Sequence, residues 1–348
     1  MRFTSIAVLA GFLLLGGCAA DPVPGAEWRQ VPPAQSGWSE TGLAAAQDWS
    51  AQIHSTAVMV IQHGAVVAEW GDVSKRTELA SVRKSLLSAL IGIAVTEHKL
   101  SLDDALADLA IDDNPPALTE TERQATVRML LEARSGVYHA ALYETPGMAA
   151  QRPLRGSHEP GTFWYYNNWD FNALGTIYEH ATGIGIYDAF DRQIARPIGM
   201  QDYRPSDGQY FYGAESVHRA YPIRMSARDL ARFALLYLHH GAWGQRQLVP
   251  ADWVEASTRP YSTAPFGPGY GFLWWTAAPA PAPAPSVLPP GSFFAWGAGG
   301  QFAFVVPAYD LVVVNRVDRD QHLPEPRLRD ITQLLRLIFQ AGGLEPAA

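Results

Sequence analysis

The sequence predicts an α+β fold: an antiparallel sheet flanked by helices and built from both termini, with a mainly helical lobe inserted at about residues 100–240. Two strand signals lie near the start, Ala57–His63 and Ala65–Trp70, separated by Gly64, which admits a tight turn. Two more lie near the end, Phe302–Val306 and Leu311–Val314, across a Pro-Ala-Tyr-Asp turn. Helix and loop signals dominate between the two pairs, and no internal repeat divides the chain. Residues 41–348 therefore read as one unit with two lobes.

In chain order, residues 1–18 read as a targeting segment: Arg2 precedes the apolar stretch Ile6–Leu15, too short to span a bilayer as a mature helix. The Pro- and Ala-rich residues 19–40 read as a tether into a first amphipathic helix near Thr41–His54. After the first strand pair comes Ser81–Val95, a proline-free helix with Leu86, Leu87, Leu90, Ile91, Ile93 and Ala94 as its apolar body. Thr126–Glu132 is a short helix, and Pro160–Gly175 carries turn punctuation followed by a dense aromatic and Asn cluster. Ser226–Leu238 has a serine cap and an acid three residues in, the pattern of a capping box. Gly271–Thr276 reads as a strand, Ala277–Pro290 as an extended surface loop, and Leu323–Gln340 as a closing amphipathic helix.

Composition narrows the function classes. Of the 348 residues, 48% are hydrophobic and 17% charged, which supports a sizeable core. A net charge of −8 argues against nucleic acid or an anionic membrane face as the main partner. Cys18 is the only cysteine, so no disulfide forms within the chain. Neither a His-Glu-x-x-His zinc motif nor a phosphate-cradling Gly-x-x-x-x-Gly-Lys-Ser/Thr loop occurs, and His239-His240 suits a helix C-terminus better than a metal. No metal or organic cofactor is implied, and nothing specifies an oligomeric state.

The chemistry centres on Ser81. It opens the apolar helix, where a hydroxyl residue is expected as a cap and where free N–H groups point outward. Lys84 lies one turn later on the same face, within reach of the Ser81 hydroxyl. An apolar interior disfavours its charged form and moves the amine toward a useful base. A serine and a base in reach of each other are the minimum kit for covalent acyl transfer. The Ser-x-x-Lys spacing alone is weakly specific, and the plain alternative is a cap followed by a solvated lysine.

Three separated stretches then match one pattern. Ser81-Val-Arg-Lys84, Tyr166-Asn-Asn168 and Trp296-Gly-Ala-Gly-Gly-Gln301 resemble the serine β-lactamase and penicillin-binding-protein superfamily, in particular class C β-lactamase-like esterases and the 6-aminohexanoate-dimer hydrolase type. Lys99–Asp104, Leu130–Gly136, Ser226–Asp229 and Gly269–Trp275 agree as secondary landmarks, so the likeness spans about residues 40–340. The resemblance implies a β-lactamase-like fold with Ser81 as nucleophile, Lys84 as the base, and Tyr166 sharing the proton and protonating the leaving group. Which of Lys84 and Tyr166 is the base stays open. Tyr165 is the competing tyrosine, and the distance to Leu174-Gly175 favours Tyr166. Asn168 is implied to hold the substrate and orient Lys84, its plain alternative being a loop Asn that caps local backbone.

The third stretch departs from the pattern, which begins with Lys or His. Aligning on Gly297 puts Ala295 at the cationic position; aligning on aromatics puts Trp296 there. Neither is a cation, which disfavours substrates anchored by a carboxylate, β-lactams and peptidoglycan peptides among them. The N–H of Ala298 is still expected to form an oxyanion hole with that of Ser81, the glycines permitting close approach. Tyr138 and His139 are candidates for lining the pocket, and Trp164, Trp169, Trp274, Trp275 and Trp296 for an aromatic site suited to a moderately apolar ester or amide. Leu15-Gly-Gly-Cys18 resembles the lipobox of bacterial lipoproteins, implying cleavage before Cys18 and its acylation. The expectation is an exported serine hydrolase, periplasmic or anchored at the outer membrane, touching the membrane only through that lipid. A penicillin-recognising cell-wall protein and a non-catalytic surface lipoprotein are the alternatives.

Overall fold

The computed structural model describes residues 23–277 and 287–344. Helix α1 (Glu40–Gln52) precedes the hairpin β1 (Ala57–Gln62) and β2 (Ala65–Gly71); β3 (Thr77–Glu78) then leads to the buried helix α2 (Arg83–Thr96). The helical lobe holds α3 (Val127–Leu131), α4 (Pro146–Gln151), α5 (Asn168–Thr182) and α6 (Ile186–Phe190). Next come β4 (Arg224–Met225), α7 (Ala227–Leu238), the ribbon β5 (Ala242–Trp243) and β6 (Arg246–Gln247), and α8 (Ala251–Ser257). The chain ends with β7 (Ser262–Thr263), β8 (Gly269–Tyr270), β9 (Trp275–Thr276), β10 (Phe293–Gly297), β11 (Gln301–Val306), β12 (Leu311–Arg316) and α9 (Leu328–Ala341).

Eight strands form one sheet in the order β2-β1-β12-β11-β10-β9-β8-β7, every pairing antiparallel. The two ends of the chain meet in it, with β1 against β12 from Ala57↔Arg316 to Gln62↔Leu311. The β1–β2 turn has positive φ at both His63 and Gly64, the two-residue geometry that matches strand twist. Every residue of β11 and β12 is buried, so both faces of the sheet are covered. Helix α7 packs on β11, β12 and β1, whereas α2 packs on α5, α6 and α8. All residues of α2 from Arg83 to Ala94 are buried, as a helix enclosed on every side requires.

Several local readings change. Residues 23–39 do not hang loose: Val31 N and Val66 O pair, Arg232 donates to Gly25 O and Ala26 O, and buried Trp28 and Trp38 pin the segment. Of the strand expected over Gly271–Thr276 only Trp275–Thr276 is strand; residues 271–274 reverse the chain between β8 and β9, with Leu273 at φ 62°. Its unbroken apolar run reflects burial, not extension. The last helix begins at Leu328 rather than Leu323, because Pro324 and Pro326 bias the chain before them to extended backbone. The cap of α7 forms only half its box: Ser226 Oγ accepts from Asp229 N, while the Asp229 carboxylate takes the N–H groups of Gln201, Asp202 and Tyr203. The lipobox with Cys18, and residues 278–286 of the Ala/Pro loop, lie outside the described residues.

Candidate active site

Ser81 follows a backbone elbow. Ala80 takes a φ of 47°, a left-handed conformation uncommon for a residue with a Cβ, and Ala80–Val82 form a 3-10 turn that runs into α2. The hydroxyl expected to cap the helix makes no capping bond; Val82 holds the N-cap position. Freed from capping, Ser81 Oγ faces Lys84 one turn on.

Lys84 joins the site together. Its Nζ lies 2.9 Å from Ser81 Oγ, 2.8 Å from Tyr166 Oη and 2.8 Å from Asn168 Oδ1. The residue is 1% exposed, and Nζ sits 4.3 Å and 4.4 Å from the ring centroids of Tyr166 and Phe171. Burial holds the amine well below its ordinary pKa, and the neighbouring Arg83 guanidinium lowers it further. Burial pushes the Tyr166 phenol up to about 12, against the opposing pull of the Ser81 hydrogen bond and Arg83. A neutral amine beside a protonated phenol is the state these environments favour.

The start of α5 explains why two adjacent asparagines do different work. Asn167 takes the capping role, accepting from Trp169 N, and its Nδ2 donates to Val137 O and Asp170 Oδ1. Asn168 is left to meet Lys84 with Oδ1 while its Nδ2 donates to Tyr143 O at 2.8 Å. Tyr165 turns away and donates to Met148 O at 2.9 Å.

Gly297, the last residue of β10, lies against the Ser81 turn. A Cβ there would stand 2.4 Å from Leu79 O and 3.0 Å from Ser81 N, so only glycine lets the strand come this close. Ala298 follows it and lines a cleft of about 310 Å³ together with Ser81, Asn168, Glu78, Arg83, Tyr143, Glu144 and Arg319. Ala295 is fully buried and Trp296 half-buried, so β10 brings no cation to the cleft. A guanidinium arrives from elsewhere: Arg319 reaches across the Gly299 turn and donates to Glu78 Oε2 at 3.2 Å.

The aromatic expectation divides. Trp275 stacks on the Tyr166 ring at 5.4 Å, and Trp164, Trp296 and the half-exposed Phe266 adjoin it, an aromatic wall beside the lysine. Trp169 and Trp274 belong instead to the core. Trp169 donates to Asp113 Oδ2 at 2.7 Å, and Trp274 packs among Phe233, Tyr237 and Phe293. Tyr138 is also a packing residue, buried edge-on against His158 and Tyr165 and outside the cleft lining, because its loop turns the ring inward. His139 sits beside Trp169 at 6.3 Å. Sequence reading missed Glu78, Arg83, Tyr143 and Arg319. Their charges and rings are not set apart in the sequence: Glu78 and Arg83 stand among Lys75, Arg76 and Lys84.

Known proteins resemble this chain in sequence and in fold. An uncharacterised protein of Alkalihalophilus pseudofirmus is 23% identical over 291 residues, 74% of this chain and 82% of its own. Esterase EstB of Burkholderia gladioli is 26% identical over 145 residues, 36% of this chain and 37% of its own. Among solved structures, a 6-aminohexanoate-dimer hydrolase homologue from Bacillus anthracis superposes with a TM-score of 0.69 at 18% identity, covering 93% of this chain and 90% of that one. The Beta-lactamase family model matches residues 41–336, a stretch that holds the sheet, α2 and α5 with every contact of Lys84 just described. The chain belongs to the Beta-lactamase family.

Proposed function

We propose that the protein is a serine hydrolase that cleaves an ester or amide bond through an acyl-serine intermediate. The observation that carries this reading is a buried Lys84 amine within 2.9 Å of both Ser81 Oγ and Tyr166 Oη. A neutral amine donates to Asn168 Oδ1 and has a lone pair for the Ser81 proton. As Ser81 Oγ bonds to the substrate carbonyl carbon, Lys84 takes that proton and the carbonyl oxygen becomes an oxyanion. The N–H groups of Ser81 and Ala298 receive it at the mouth of the cleft. Collapse breaks the bond to the leaving group, which takes a proton from Tyr166, and Lys84 returns its proton to the phenol. Water then repeats the sequence on the acyl-serine, giving acid and free enzyme. Lys84 is the base in this reading, since its environment favours the neutral form while that of Tyr166 keeps the phenol intact.

The wall of Trp275, Trp296 and Trp164 supports a moderately apolar acyl or amide group, and likeness to an esterase over a third of the chain points the same way. One feature favours a second reading, a penicillin-recognising protein: Arg319 offers the cleft a cation that β10 lacks. We also propose that the chain is exported and anchored through acylated Cys18, which palmitate labelling of wild type against Cys18→Ser tests.

The deciding experiment is intact-mass detection of an acyl adduct on protein lacking residues 1–18, given p-nitrophenyl butyrate and a cephalosporin in parallel. An adduct or turnover that disappears in Ser81→Ala supports the hydrolase, and the substrate that works separates the two readings. Activity surviving in Ser81→Ala sinks both.

A further inference from the structure

We propose that Arg83 is a positioning residue for proton transfer at Ser81: a buried guanidinium next to Lys84 in the chain, with no carboxylate to neutralise it, it adds to burial in keeping the lysine neutral. The inference rests on the reading of Lys84 as the base. Arg83 is 1% exposed and immediately precedes Lys84 at the start of α2. Its Nη1 donates to Ala80 O at 2.9 Å, in the turn that carries Ser81. The rings of Tyr143 and Tyr221 lie 5.1 Å and 5.2 Å from Cζ, so aromatic faces take the charge where a carboxylate would be expected. Nε and Nη2 are buried and meet no protein acceptor. Among the described residues, no ion pair includes Arg83 or Lys84.

A buried charge without a counter-ion is costly and needs a reason. Arginine cannot relieve the cost by releasing its proton, because its guanidinium stays charged across the accessible pH range. Lysine can. Two buried cations adjacent in the chain repel, and the pair relaxes by leaving Lys84 neutral.

The surroundings do not undo this. Toward α5 Lys84 meets Tyr166, while Asp170, whose carboxyl is pushed strongly toward its neutral form by burial, is taken up by Ser135 and Asn167. Tyr187 of α6 and Tyr221 are phenols with raised pKa. Across the cleft, Glu78 is held by the Tyr143 hydroxyl and Arg319, and Glu144 pairs with Arg152. Of the other acids on the helices packed against α2, Glu179 pairs with Arg219, and Asp188, Asp252 and Glu255 are exposed. The one charge next to Lys84 left without a paired opposite is that of Arg83.

The test is the pH profile of Ser81 labelling by a fluorophosphonate, a probe for activated serines that needs no natural substrate, using the full chain. Arg83→Gln and Arg83→Met both remove the charge, and the methionine stem fills the space between the two rings if the amide is not tolerated. Each is expected to move the acid limb of the labelling rate to higher pH by about one unit, a tenfold loss below the limb that is recovered above it. Arg83→Lys, which restores a cation, is expected to bring the limb back toward its wild-type position. A limb unmoved in the charge-removing variants, with only a lower plateau or Tm, overturns the inference and leaves a packing role. A wild-type chain that is not labelled at Ser81 refutes the hydrolase reading itself, so the two failures are distinct.

Discussion

Gly297→Ala asks whether the end of β10 is held against the Ser81 turn. The added methyl would stand 2.4 Å from Leu79 O, 3.0 Å from Ser81 N and 3.1 Å from Gln301 Cβ, whereas ordinary contact begins at 3.4 Å. The closest two atoms are backbone, so about one ångström must come from main-chain movement. Helix α2 is enclosed on all sides, and Gly297 pairs with Gln301 at the strand's end, so the Ala298 turn is the part free to shift. A displacement of about 1 Å at a reacting geometry costs on the order of a hundredfold in rate. Overpacking of this kind also lowers stability by about 1–3 kcal/mol. The assay is the single-turnover rate of Ser81 acylation by p-nitrophenyl butyrate, followed by intact mass, with Tm measured on the same sample. A folded variant acylated within about threefold of wild type would refute the reasoning, because the oxyanion position would then not depend on Gly297.

Three further variants have definite expected outcomes. Lys84→Met lowers acylation by about 10²–10⁴-fold, the usual worth of a positioned base. Because the folded-state pKa of Lys84 is depressed, its contribution to stability is full above the unfolded value and is lost as pH falls through the folded one. The variant's Tm relative to wild type should therefore rise as pH is lowered over that window; a constant difference would argue against a neutral buried amine. Asp170 has the opposite sign: its raised folded pKa means stability present below the unfolded value and lost as pH rises through the folded one. Asp170→Asn keeps an Oδ1 for Ser135 and Asn167, so its Tm advantage should grow with pH above about 4, and parallel Tm–pH curves would contradict this. Gly92→Ala drives a Cβ to 2.3 Å from the Trp253 ring and is expected to cost about 1–3 kcal/mol without moving the pH limb of acylation. An unchanged Tm would show that α2 and α8 can separate freely.

The strands and helices that sequence reading located are those whose signal is local. The first hairpin is legible because Ala57–Ile61 is apolar and His63-Gly64 tolerates positive φ. Helix α7 is legible because Ser226 announces its start. Lys84 lies beside Ser81 because a 3-10 turn and an α-helix both put a residue three positions on at the same side, while Tyr166 reaches Lys84 from 82 residues further along. What stayed hidden depends on partners far along the chain. Trp169 looks like a site aromatic until Asp113 claims its N–H, and Gly271–Thr276 looks like one strand until a reversal proves equally apolar. The tether reading of residues 23–39 fails for the same reason: Trp28 donates to Arg228 O, 200 residues away. Arg83 is the clearest case, because burial without a counter-ion is a property of the whole neighbourhood and leaves no mark in the order of residues.

The pairing of β1 with β12 has a consequence for how the molecule comes into being. Ser55 and Thr56 bond to Asn315 and Arg316 across 260 residues, and these contacts close three quarters of the chain into one loop. Loop closure of that span must come before the contacts that reward it, which makes for high contact order and slow folding. Until the last strands are synthesised, a nascent chain has no completed sheet, and β10 and Gly297 are not yet beside the Ser81 turn. The acylation proposed at Ser81 would then become possible late and all at once, so no N-terminal fragment ending before β12 should react there, however much helix it has formed.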